Sequence, residues 1–269
     1  LYGHSVSLSS NGNVVAIGAP SNDANGNDSY SAGHVRVHEW NGTDWQQRGS
    51  DIDGEAARDQ SGSSVALSSD GAVVAIGASF NKENGIPSGH VRAYEWNGTD
   101  WQQRGSDIDG EAANDWSGYS VSLSSDGSII AIGAPSNDGD NVINGGHVRV
   151  YEWKEISWIK RGEDIDGEAA DDWSGMSVSL SDDGSIVAIG APYNDGYSNT
   201  TNSGHVRVYE WKENSWYQIG SDIDGEAVDD ISGKSVALSG DGTVVAIGAP
   251  GNDGNGDDAG HVRIYKYNG

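Results

Sequence analysis

The 269 residues predict an all-β fold built from one repeating unit, and three observations lead to it. First, "GHVR" recurs with its His at 34, 90, 147, 205 and 261, and "SV(S/A)LS" recurs with its Val at 6, 65, 121, 178 and 236. Second, each His lies 31 residues before the next such Val, whereas Val to the following His is 28, 25, 26, 27 and 25 residues. All the length variation therefore falls in one loop per unit. Third, each unit holds four short apolar or alternating segments separated by turn dipeptides, the pattern of an antiparallel meander. Repeated five times, it predicts a five-bladed β-propeller of four-stranded antiparallel blades.

Taken in order, strand A is "SVSLSS", in which Val121 and Leu123 alternate with Ser. An Asn-Gly or Asp-Gly follows (Asn11-Gly12, Asp70-Gly71, Asp126-Gly127, Asp183-Gly184, Asp241-Gly242), which predicts a type I′ hairpin with both central residues at positive φ. Strand B, "VVAIGA" or "IIAIGA", is apolar throughout and is expected to be covered on both faces. The variable loop precedes strand C, "GHVRVYEW"; a turn such as "NGTD" leads to strand D, "WQQRGSDIDG"; and "EAANDWSG" returns the chain to the next strand A. The expected repeats run 1–59, 60–115, 116–172, 173–230 and 231–269 within a single propeller domain. Because the sequence ends after the fifth strand C, the last blade is expected to lack its outer strand. An edge left uncovered in this way is a template for another strand. Either a longer polypeptide or strand pairing with a neighbouring chain is expected to complete it.

Composition narrows the function classes. The formal charge of −26 disfavours phosphate backbones and anionic headgroups, so nucleic acid and membrane-surface partners are not expected, and with no run of 18 apolar residues neither is membrane insertion. With no Cys, there is neither a disulfide framework nor a thiolate metal site. Catalysis needs unlike groups converging on one centre, whereas this chain repeats like groups, and it carries no hydrolase, metalloprotease or phosphate-loop motif. A non-catalytic protein is expected.

The residues also carry a resemblance. "SGYSVSLSSDGSIIAIGAPSNDG", "GGHVRVYEW" and "SWIKRG" resemble the FG-GAP repeats of integrin α-subunit propellers and of many secreted proteins. "GAP" stands at Gly18–Pro20, Gly133–Pro135, Gly190–Pro192 and Gly248–Pro250, with "GAS" at Gly77–Ser79; the "FG" pair is altered to "SG", and to Tyr2-Gly3 in the first unit. The resemblance implies an extracellular propeller, secreted or on a cell surface, that recognises a protein or glycan or serves as a scaffold. A calcium-dependent lectin and a repeating subunit of an extracellular filament are the alternatives. Integrin-type calcium loops lie in the A–B hairpin. Here that hairpin is a bare "SSDGS" turn with too few oxygens for a site of six to eight ligands.

Calcium, if held, is expected elsewhere. Asp23, Asp138, Asp195 and Asp253 recur in the Gly-rich variable loops, which suits hard-oxygen ligation, although Asn-Asp-Gly also simply makes turns. The two carboxylates of each "DID" (Asp51 and Asp53, Asp107 and Asp109, Asp164 and Asp166, Asp222 and Asp224) share one strand face, where a cation would relieve their repulsion. The alternative is that they keep an outer strand from pairing with other chains. Asp59, Asp115, Asp172 and Asp230 are expected to cap turns, and the His and Arg of "GHVR" to join blades through hydrogen bonds. Trp116 and Trp173 stand where other units have Gln60 and Ile231, and are candidates to stack on a ligand. Sequons occur at Asn27, Asn41, Asn97 and Asn199; those at Asn41 and Asn97 double as turn residues.

Overall fold

The computed structural model describes residues 2–23, 30–82, 86–139, 142–196 and 201–269. It is all-β, a five-bladed propeller with no helix among the described residues. The first sheet comprises β1 (Ser5–Leu8), β2 (Val14–Ala19), β3 (His34–Trp40), β4 (Trp45–Gln47) and β5 (Ile52–Asp53). The second repeats this as β6 (Ser64–Leu67), β7 (Val73–Ala78), β8 (His90–Trp96), β9 (Trp101–Gln103) and β10 (Ile108–Asp109). The third is β11 (Ser120–Leu123), β12 (Ile129–Ala134), β13 (His147–Lys154), β14 (Ser157–Lys160) and β15 (Ile165–Asp166). The fourth is β16 (Ser177–Leu180), β17 (Ile186–Ala191), β18 (His205–Lys212), β19 (Ser215–Gln218) and β20 (Ile223–Asp224). The fifth has three strands, β21 (Ser235–Leu238), β22 (Val244–Ala249) and β23 (His261–Lys266), so the expected absence of its outer strand holds. The chain divides into two compact units, Leu1–Ile130 with Tyr151–Ile159, and Ala131–Val150 with Lys160–Gly269.

Two sequence expectations need correction. The outer strand is one element in the sequence reading but two in the structure. β4 and β5 both pair with β3, and the four residues 48–51 face only Arg36 and Val37. This bulge turns on Gly49, whose φ of 80° suits a residue without Cβ. The excess of two residues preserves the side-chain alternation, so Ile52 still enters the core at 5% exposure while Asp51 and Asp53 stay on the other face.

The A–B hairpin is likewise not type I′. Gly12, Gly71, Gly127, Gly184 and Gly242 have positive φ, but the Asn or Asp before each does not. Gly71 N donates to Ser68 O at 2.9 Å, which closes an ordinary turn with glycine in the left-handed position after it. The Asp70 carboxylate secures that turn by accepting from Ser68 Oγ at 2.7 Å and from Ala72 N at 2.9 Å.

Strand B is the most buried element: every residue of β7 and of β12 is buried. In the first unit, Val35, Val37 and Ile52 share a core with Val65, Leu67 and Ile76. In the second, Ala188 and Val206 pack with Val245 and Ile247. The facing sheets approach until backbone meets backbone. A Cβ on Gly77 would run into the Gly118 carbonyl, which also accepts from Ser64 Oγ at 2.7 Å. The same contact recurs between Gly190 and Gly233, where Ser177 Oγ donates to Gly233 O at 2.7 Å.

Candidate functional site: carboxylates around a buried histidine

Antiparallel register places the first residue of strand C opposite the second Asp of "DID": His34 faces Asp53, His90 faces Asp109, and His205 faces Asp224. The next pair, Val against Ile, faces the core, so the His and both carboxylates share the other face. In the second sheet, His90 Nδ1 lies 3.6 Å from Asp107 Oδ2, 4.0 Å from Asp109 Oδ1 and 4.0 Å from Glu55 Oε2. In the fourth, His205 Nδ1 lies 3.9 Å from Glu168 Oε2, and ligand atoms of Glu168, His205 and Asp222 fall within 4.8 Å of one another. His90 and His205 are 2% and 1% exposed. The "DID" carboxylates are thus brought together as their spacing suggests, around a histidine whose sequence motif predicts a blade-joining role.

The arginine two residues on does join neighbouring repeats. Arg92 Nη2 donates to Asp53 O at 2.8 Å, Arg207 Nη2 to Asp166 O at 2.6 Å, and Arg263 Nη2 to Asp224 O at 2.5 Å. Its other arm meets the preceding glutamate, Arg92 Nη1 with Glu55 at 3.4 Å and Arg207 Nη1 with Glu168 at 3.5 Å. Arg36 of the first sheet has a different partner. It turns instead onto Asp51, with Nε 3.0 Å and Nη2 2.8 Å from the carboxylate, and holds that carboxyl below its usual range.

Burial governs the protonation of this cluster. Burial and then the adjacent arginine lower the His90 and His205 pKa values to about 4, against the weaker pull of Asp107 and Asp222. Burial raises the carboxyl pKa of Glu55 and Glu168, with Arg92 and Arg207 opposing the shift. It also raises that of Asp224, to which Asp222 adds. Neutral imidazoles and desolvated carboxylates are thus packed together.

The variable-loop aspartates also make bonds within their loops. Each closes its loop by accepting a backbone amide: Asp23 from Ser31 at 3.0 Å, Asp138 from Asn144 at 2.9 Å, Asp195 from Asn202 at 3.1 Å, and Asp253 from Asp258 at 2.8 Å. The second Asp set caps the D–A connection as expected. Asp59 accepts Ala56 N at 2.8 Å and Asp172 accepts Ala169 N at 3.0 Å. These carboxylates also receive the first Asn of a variable loop, Asn81 onto Asp59 and Asn194 onto Asp172, each at 3.0 Å and buried. Sequence reasoning missed this bond, although Asn22, Asn81, Asn137, Asn194 and Asn252 stand at one position in all five loops, including the one where Lys82 replaces Asp. A cavity of about 320 Å³ results at the fourth sheet, lined by Glu168, Asp172, Asp195, His205, Asp222 and Asp224 among others.

Trp116 and Trp173 are half-buried rather than open, with φ of 59° and 56°. Their rings pack against the strand B–loop junction, Trp116 at 5.7 Å from Phe80 and Trp173 edge-on at 5.3 Å from Tyr193. The side-chain oxygens of Asn41 and Asn97 accept amides within their own turns, Asn41 from Thr43 at 2.9 Å and Asn97 from Thr99 at 2.8 Å. Asn27 and Asn199 lie outside the described residues.

Glycine-on-glycine contact between a "GA" strand and the next "SG" turn recurs at Gly77–Gly118 and Gly190–Gly233. The FG-GAP repeat family model matches residues 165–209. The matched segment runs from β15 to β18 and contains Glu168, Asp172, Asn194, Asp195, His205 and Arg207, most of the fourth-sheet pocket. No curated protein matches the chain. In FG-GAP terms the two name-giving glycines of the fourth repeat are Gly175 and Gly190, and Gly175 N donates to Gly190 O at 3.1 Å. An FG-GAP propeller is typically an interaction or recognition fold.

Proposed function

We propose that this chain is a non-catalytic recognition module acting outside the cell, which reads a protein or glycan with its variable loops and D–A connections and is stabilised by divalent cations. The observation that carries this reading is the anchoring of each loop. Gln60 N and Ser61 N donate to Ser31 O and Ala32 O at 3.1 and 2.9 Å, and Ile231 N and Ser232 N donate to Asn202 O and Ser203 O at 3.1 and 3.0 Å. Loops of differing length and sequence thus leave one constant frame at equivalent places, an arrangement that lets surface chemistry change without disturbing the core. Trp116 and Trp173 border these loops and are the candidate stacking residues. Calcium is the cation proposed for the oxygen-only loop carboxylates Asp23, Asp138, Asp195 and Asp253.

Glycan and extracellular-protein arrays probed with and without chelator test the reading and separate it from a calcium-dependent lectin, which would bind glycans alone and only with the ion. Replacing 195–201 by a short Gly-Ser turn, which spares Asn194 and its bond to Asp172, should abolish partner binding while leaving the far-UV circular dichroism unchanged. Partner binding that survives the swap but is lost on Trp116→Ala and Trp173→Ala would move the site to the D–A connections.

A second observation favours pairing with a neighbouring chain. Val262 and Ile264 of β23 are 67% and 70% exposed, whereas Val206, the residue of β18 equivalent to Val262, is 0% exposed. A further β-strand or blade laid on this face, as in a filament, would bury them. Sedimentation at rising concentration should show association that Val262→Lys with Ile264→Lys removes.

A further inference from the structure

We propose that the His90 and His205 clusters are binding sites for a divalent transition-metal ion of the zinc class, not for calcium. This deepens the cation part of the reading above and does not depend on what the loops recognise. Calcium takes six to eight oxygens, whereas an imidazole nitrogen beside a few carboxylates is the donor set of zinc and its neighbours.

Asp107, Glu55 and Glu168 each have one oxygen held by a structural partner and the other turned toward the histidine. Asp107 Oδ1 accepts from Gln103 Nε2 at 2.5 Å, while its Oδ2 faces His90 Nδ1. Glu55 gives Oε1 to Arg92 and presents Oε2 to His90. In the fourth sheet, Gln218 Nε2 holds Asp222 Oδ1 at 2.6 Å, and Arg207 holds Glu168 Oε1 while Oε2 faces His205. Partners of this kind orient metal ligands.

The second, independent observation is the histidine itself. His90 and His205 are buried, His205 Nε2 has no hydrogen-bond partner among the described residues, and His205 lines the acidic cavity. Around a zinc ion with bonds of about 2.1 Å, tetrahedral donors stand about 3.4 Å apart. The 3.6–4.0 Å separations around His90 Nδ1 therefore need only a small inward movement. His205 Nε2 has no acceptor, so packing alone fixes the ring, which predicts modest affinity. The first sheet provides an internal contrast: Arg36 already occupies Asp51 there.

The test uses tag-free, chelator-stripped protein titrated calorimetrically with Zn²⁺, Co²⁺ and Ca²⁺, the cobalt complex also being read by its visible absorption. Zn²⁺ is expected to bind at least about tenfold tighter than Ca²⁺, and Co²⁺ to give the bands of a nitrogen- and oxygen-ligated ion. His90→Gln with His205→Gln should weaken Zn²⁺ by about tenfold or more and leave Ca²⁺ binding unchanged. If that variant does not fold, Asp107→Asn with Asp222→Asn should give the same loss. Equal Zn²⁺ affinity in the folded variants, tighter binding of Ca²⁺, or no binding of any of these ions would overturn the proposal. Partner binding on the arrays would stand or fall separately.

Discussion

Trp101 and Trp45 occupy the same position in successive repeats, and replacing each with Phe should have unequal costs. Trp101 is 8% exposed, its indole Nε1 donates to Arg48 O at 2.7 Å, and the Arg48 guanidinium sits 5.8 Å from its ring and 4.7 Å from Trp96. Trp45 begins the first outer strand, is 44% exposed, and packs on Trp40 at 5.7 Å with no arginine over it among the described residues. Trp101→Phe removes a hydrogen bond, a net loss of about 1 kcal/mol. It weakens a cation–π contact by about 0.5 kcal/mol, and it forfeits burial of the second ring, about 1 kcal/mol at 25 cal/mol per Å². The sum is about 2.5 kcal/mol. Trp45→Phe keeps its neighbour and loses only partly buried area, for which we expect about 0.5 kcal/mol. Urea unfolding followed by far-UV circular dichroism should show the 2 kcal/mol gap as a lower midpoint at unchanged m-value. The melting temperatures should differ by roughly 4–8 °C. Equal midpoints for the two variants would refute the claim that the Arg–Trp seam, and not the Trp pair within a sheet, carries the stability.

Further outcomes follow from the same geometry. Gly105→Ala should destabilise far more than Gly98→Ala: both glycines have positive φ, but only at Gly105 would the new Cβ meet Trp153, at 2.8 Å, so the difference in unfolding midpoint isolates that contact. Because His90, His147 and His205 titrate near 4 when folded and near 6.5 when unfolded, the unfolded chain takes up more protons between these values. Their contribution to stability is complete above pH 6.5 and is lost as pH falls toward 4. The raised carboxyls of Glu55, Asp59, Glu168, Asp172 and Asp224 act in the opposite sense, the folded chain holding their protons longer, so the measured slope is the difference. His205→Gln should reduce the proton uptake on unfolding at pH 5 by nearly one, measurable from denaturation midpoints across pH 4–7. Asp172→Ala strips Asn194 and the Ala169 amide of a buried acceptor and should cost about 2–3 kcal/mol, read from the urea midpoint.

The sequence by itself determined whatever depends on residues close along the chain. Alternation placed the strands, an apolar run marked strand B for burial on both faces, and the fixed 31-residue spacing located the variable loop and the number of repeats. Spacing of two within "DID" was enough to place both carboxylates on one face. Tertiary structure decided whatever depends on which strand lies opposite which. The outer strand breaks because two segments must pair with one strand C across a two-residue excess, which "RGS" alone does not announce. His90 meets Asp107, Asp109 and Glu55 only through cross-strand register and through a glutamate contributed by the preceding repeat. Identical motifs also diverged: Arg92 and Arg207 take the preceding glutamate, whereas Arg36 closes on Asp51. A carboxylate's partner, and with it the choice between ion pair and open ligand, is set by the nearest opposite charge in space, and in a repeat protein that charge belongs to the neighbouring unit.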